Sequence, residues 1–104
     1  GIHVKGAPMG SIYAATKAAV AGLTRGAARD LGPRGITVNV IQPGPIDTDM
    51  NPADGPWAGA AKAALAMGEF GQPRDVAAMV AFLASAQAGF ITGAALNVDG
   101  GYNA

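Results

Sequence analysis

The hydrophobic pattern along the chain divides it into segments that alternate between a helical and an extended period. From Ser11 an Ala-rich run carries its apolar residues at helical spacing as far as Leu31, where Gly32-Pro33 cannot continue a helix. Ser11 is placed to cap its start. Residues 36–41, Ile-Thr-Val-Asn-Val-Ile, are β-branched and short, bounded by Gly35 and Pro43, and predict a buried strand that ends in a Pro43-Gly44-Pro45 loop. The pattern weakens from Asp47 to Gly71, with a short Ala-rich helix predicted over residues 57–67. Gln72-Pro73-Arg74-Asp75 opens a clearer helix, whose apolar face is supplied by Val76, Met79, Val80, Phe82 and Leu83. A second strand over residues 94–98 follows Gly93 and ends at Asp99-Gly100-Gly101, a run with turn chemistry. Residues 1–9, with Gly1, Gly6 and Pro8 and no period, predict a loop that contains the only histidine, His3.

Helix, strand, helix, strand with short Gly and Pro punctuation predicts an α/β layer of parallel strands. Two parallel strands are too few for a sheet covered on both faces, so the chain is expected to be part of a larger domain. Gly22 and Gly26, four apart in the first helix, each cost roughly 1 kcal/mol relative to Ala, a cost that close packing of another helix would explain.

Composition narrows the function classes. With 104 residues, 50% of them hydrophobic and 13% charged, the chain has a globular balance. Seven basic and seven acidic residues cancel and form no basic run, so neither a nucleic acid nor an anionic membrane is implied as a partner. The apolar stretches are broken before the roughly 20 residues that span a bilayer. There is no cysteine, hence no thiolate metal site or disulfide frame, and a reducing cytoplasm is the default location. One histidine gives no basis for a multi-histidine metal centre.

The candidate chemistry lies at Tyr13 and Lys17. A four-residue step on a helix puts both side chains on one face, where a phenol beside an ammonium is an acid whose charged form is favoured. Neighbouring Ala, Thr and Gly residues leave that face open. Taken alone, an exposed Tyr and Lys at this spacing are usually a plain surface pair. Thr48 can equally be a loop hydroxyl that satisfies backbone. Met50, Trp57 and Met67 would line an apolar pocket or simply pack.

Three motifs taken together carry a resemblance. Tyr13-x-x-x-Lys17, then Asn39-Val-Ile-Gln-Pro43-Gly44 continuing into Ile46-Asp-Thr48, then Phe90-Ile-Thr-Gly93-x-x-Leu-x-Val-Asp99-Gly100-Gly101, stand in an order and spacing similar to the C-terminal part of a short-chain dehydrogenase/reductase. The similarity is greatest to 3-oxoacyl-carrier-protein reductases and related alcohol dehydrogenases. It implies the C-terminal portion of a Rossmann-type doubly wound parallel sheet, with residues 1–104 forming part of a single NAD(P)-binding domain. By the same resemblance Tyr13 is the general acid for a ketone and the base for a secondary alcohol. Lys17 favours the ionised phenol and binds the nicotinamide ribose, and Tyr13 lies against the cofactor as well. Pro43 and Gly44 bring backbone against the nicotinamide, and Ile46 and Thr48 bind its carboxamide.

The resemblance implies NAD or NADP as cofactor, a small ketone or alcohol as substrate, assembly into a homodimer or homotetramer, and no metal. The resemblance also implies that the phosphate-cradling glycines and the third catalytic residue, a serine, lie upstream of Gly1. Without that N-terminal half the 104 residues alone would be inactive. The alternative is a truncated, non-catalytic fragment that acts only through subunit packing, and the first helix would serve close contact in either case.

Overall fold

The computed structural model describes residues 10–104. The expected loop over residues 1–9, and His3 within it, lie outside the described residues. The elements are α1 (Ser11–Leu31), β1 (Val40–Pro43), α2 (Ala58–Ala64), α3 (Pro73–Leu83) and β2 (Ala95–Val98), with short 3-10 turns at Gly32–Arg34 and Ala86–Ala88. β1 and β2 pair in a two-stranded sheet. The chain divides into two compact units. One holds the residues up to Val40 together with Ser85–Leu96, and the other holds Ile41–Ala84 together with Asn97–Ala104.

In the first unit, α1 begins one residue earlier than a Ser11 cap would have it. The Gly10 carbonyl accepts from the Ala14 N–H at 2.8 Å, so Gly10 is the N-cap and Ser11 is already helical, with no side-chain cap. A capping residue must stand outside the helix while its carbonyl accepts the first helical bond, and Gly10 fills that position. Thr16 and Thr24 donate their hydroxyls back to the carbonyls of Ile12 and Val20, each at 2.8 Å, which keeps these residues inside the helix without an unsatisfied group. The helix ends as expected at Leu31, and Gly35, with φ 74°, reverses the chain. Ala28 is buried, and a side chain at Gly93 would meet its Cβ at 3.5 Å.

The stretch before β1 is held differently from a ladder. The Asn39 amide donates to the Ile91 carbonyl at 3.0 Å, and its oxygen accepts from the Ala94 N–H at 3.1 Å. The Thr92 hydroxyl accepts from the Val38 N–H at 3.0 Å, and the Gly93 N–H donates to the Val38 carbonyl at 2.7 Å. The expected strand over residues 36–41 is therefore shifted to Val40–Pro43, because at residues 38 and 39 side-chain bonds from Asn39 and Thr92, with a single backbone bond from Gly93 to Val38, stand in place of a regular ladder. The Val40 N–H donates to Ala94 at 3.0 Å, where the ladder begins. No atom lies within 4 Å of a side chain placed at Gly22 or Gly26, so the packing expected there is not made by the described residues.

The second unit is organised round Ala58, Leu65 and Phe70, with Ala53, Ala61 and Tyr102 packed against them. α2 is shorter than the 57–67 expected: Leu65 has extended backbone and turns its side chain into the core. α3 opens as its sequence indicates, with Gln72 as N-cap, Pro73 in the first turn and a reciprocal capping box between Gln72 and Asp75. The C-terminal turn is fixed by Asp99, whose carboxylate accepts from the N–H groups of Gly101 at 3.0 Å and Asn103 at 3.3 Å. Gly100 and Gly101, with φ of 57° and 80°, supply a left-handed backbone that other residues adopt at a cost.

Candidate active site

In the first unit, Tyr13 and Lys17 share the exposed face of α1. The Lys17 Nζ lies 5.3 Å from the centroid of the Tyr13 ring. Tyr13 is 53% exposed. Among the described residues its hydroxyl has no hydrogen-bond partner, which leaves the O–H free to donate and its lone pairs free to accept.

In the second unit, residues 43–48 follow the carboxyl end of β1. The Gly44 N–H donates to the Val98 carbonyl at 3.0 Å, in the same direction and with the same sequence offset as Val40 to Ala94, so β1 and β2 run parallel. Gly44 approaches Asp99 so closely that a Cβ there would lie 2.7 Å from the Asp99 Cα. Ile46 forms a parallel bridge with Gly71. The Gly71 N–H donates to Pro45 at 3.0 Å, and the Gly71 carbonyl accepts from Asp47 at 2.9 Å. In this pairing Gly71 makes both bonds, so the N–H and C=O of Ile46 point to the opposite side. Neither has a partner among the described residues. Beyond it, the Asp47 carboxylate accepts from the Ala53 N–H at 2.8 Å, and the Thr48 hydroxyl accepts from Asn51 at 3.2 Å. Thr48 thus satisfies loop backbone, as its type suggests, and still has a hydroxyl proton to give.

A concavity of about 450 Å³ in this unit is lined by residues that include Pro45, Ile46, Met67, Phe70, Gly71 and Gly100. Of the three apolar residues expected to line a pocket, Met67 does so. Met50 and Trp57 are 98% and 80% exposed and are not part of it. Gly71 is the residue that the sequence did not single out. Its signal was a glycine directly before a helix cap, which reads as punctuation when its partner 25 residues earlier is unknown.

The comparisons with known proteins decide the family. The family model described as Enoyl-(Acyl carrier protein) reductase matches residues 2–103. The chain belongs to the short-chain dehydrogenase/reductases. It is 55% identical over 92 residues to the cyclic-di-GMP-binding biofilm dispersal mediator protein of Escherichia coli (strain K12), covering 88% of this chain and 39% of that protein. It is 48% identical over 90 residues to the 3-oxoacyl-(acyl-carrier-protein) reductase FabG of Vibrio cholerae, covering 86% of this chain and 37% of the reductase. The crystal structure of a blue fluorescent protein from a metagenomic library, in complex with NADPH, superposes with a TM-score of 0.88 at 58% identity, over 90% of this chain and 38% of that one. This short-chain dehydrogenase/reductase chain therefore spans about two-fifths of the length of the relatives it matches. Its fold is α/β and corresponds to part of a Rossmann-type sheet. Among the described residues no helix is long and apolar enough to cross a membrane.

Proposed function

We propose that these residues form the C-terminal part of a single NAD(P)-binding domain in an oxidoreductase that interconverts a ketone and a secondary alcohol. The observation that carries the reading is the Tyr13 phenol, exposed and without a hydrogen-bond partner among the described residues, with the Lys17 ammonium 5.3 Å from its ring. Tyr13 gives its proton to the carbonyl oxygen as negative charge grows there, and takes it back when the alcohol is oxidised. Lys17 stabilises the phenolate left behind and hydrogen-bonds the ribose hydroxyls of the cofactor.

Residues 43–48 fit a nicotinamide. A primary carboxamide offers one acceptor oxygen and an N–H donor, and the N–H and C=O of Ile46, unpaired among the described residues, match that pair. The Thr48 hydroxyl donates to the same group, and Pro43 and Gly44 bring backbone against the ring, Gly44 without a side chain. Loops at the carboxyl ends of parallel strands are where such ligands bind. NAD or NADP, when bound, supplies or accepts the hydride, as membership of the family and the NADPH complex of its relative support.

A second reading, subunit packing without catalysis, is favoured by one observation. Ile12, Val20 and Leu23 on α1 are exposed, Ile12 by 81%, as expected of a helix that meets a second copy in a homodimer or homotetramer. The two readings separate in one experiment on the protein that carries this sequence. It is titrated with NADPH and NADH by fluorescence, then assayed for cofactor oxidation with small ketones and 3-oxoacyl thioesters. Saturable binding and ketone-dependent oxidation are expected. Oligomers that bind neither cofactor would overturn the oxidoreductase reading and leave packing.

A further inference from the structure

Gly71 has no conformational reason to be glycine, since it is absent from the glycines with positive φ. Its reason is space. A Cβ at Gly71 would stand 2.8 Å from the Ile46 Cδ1, well inside contact distance, whereas the next nearest atom, Asp75 Oδ2, lies at an ordinary 3.5 Å. The same residue makes both backbone bonds that aim the Ile46 peptide away from the bridge. Asp75 in turn fixes the following residue, accepting from the Gln72 N–H at 2.7 Å. Glycine at 71 thus does two things at once: it bonds the loop on either side of Ile46, and it leaves room for the Ile46 side chain.

We infer that Gly71 is a positioning residue for the nicotinamide end of the cofactor, acting through Ile46, and this rests on the assignment of Ile46 to the carboxamide. An added methyl at 71 displaces the far end of a flexible side chain that borders an open concavity, so Ile46 can move without loss of the fold. The consequence falls on what Ile46 presents. Affinity for the nicotinamide drops while the rest of the cofactor binds as before.

The test uses Gly71→Ala, Ile46→Val, which removes Cδ1, and the double variant, with Thr48→Ala as a control on the assignment of the loop. Gly71→Ala is expected to raise the cofactor KM about tenfold with kcat within about twofold, and to leave ADP-ribose, which lacks the nicotinamide, bound as in the parent. In the Ile46→Val background the same substitution is expected to shift KM by less than about twofold, because the methyl then has room. An equal KM rise in both backgrounds, or a parallel loss of ADP-ribose binding, overturns the inference. A silent Gly71→Ala beside a Thr48→Ala that raises KM overturns the inference alone. Silence in both overturns the assignment of the loop to the cofactor.

Discussion

The Tyr13 and Lys17 face of α1 and the loop over residues 43–48 differ in what fixes them. The helix face is set by local geometry: a step of four residues and a backbone ladder place the two side chains together, with the ring and the cation 5.3 Å apart and both open to solvent. The loop is set from a distance. Gly44 is bonded to Val98 and pressed against Asp99, and Ile46 is bridged to Gly71. The first arrangement suits a group that must exchange a proton with a molecule that comes and goes. The second suits backbone groups that must meet a planar amide at fixed positions, since they are held by backbone bonds from distant segments of the chain.

That difference can be broken from either side, and the largest effect belongs to the helix. Tyr13→Phe keeps the ring and removes the proton, and kcat for ketone reduction should fall about a thousandfold. A kcat within twofold of the parent would take Tyr13 out of the acid role. Lys17→Ala should lower kcat/KM about a hundredfold and weaken cofactor binding too, which steady-state kinetics and a fluorescence titration read separately. Loss of one alone would mean that the residue has a single role. The loop should respond in stability first. Gly44→Ala drives a methyl into the Asp99 backbone, which cannot rotate aside, and should cost about 2 kcal/mol, seen as a lower Tm. An unchanged Tm would show that the close approach at Gly44 is relaxed at no cost. Gly71→Ala meets only a side-chain methyl, so the same chemical change there should leave Tm alone and act on cofactor KM.

The same contrast explains how much could be read from the sequence. α1 and its Tyr13 and Lys17 face were legible because period and spacing are local, and α3 because Gln72, Pro73 and Asp75 state its start within four residues. The motif order gave the family, which the comparisons show. The start of α1 was misplaced by one residue, since a serine's preference for a cap says nothing of whether the preceding glycine holds the capping carbonyl. The first strand was misplaced because Asn39 and Thr92 replace ladder bonds with side-chain bonds over 52 to 55 residues of separation. The brace between Ile46 and Gly71 was invisible for the same reason: each partner alone is an unremarked apolar residue or a glycine beside a cap.

The division of labour is tested most directly by an NADPH titration of Tyr13→Phe. A dissociation constant within about twofold of the parent, in a protein whose turnover has collapsed, is the predicted result. A dissociation constant weakened in step with turnover would contradict it, since Tyr13 would then be holding the cofactor rather than moving the proton.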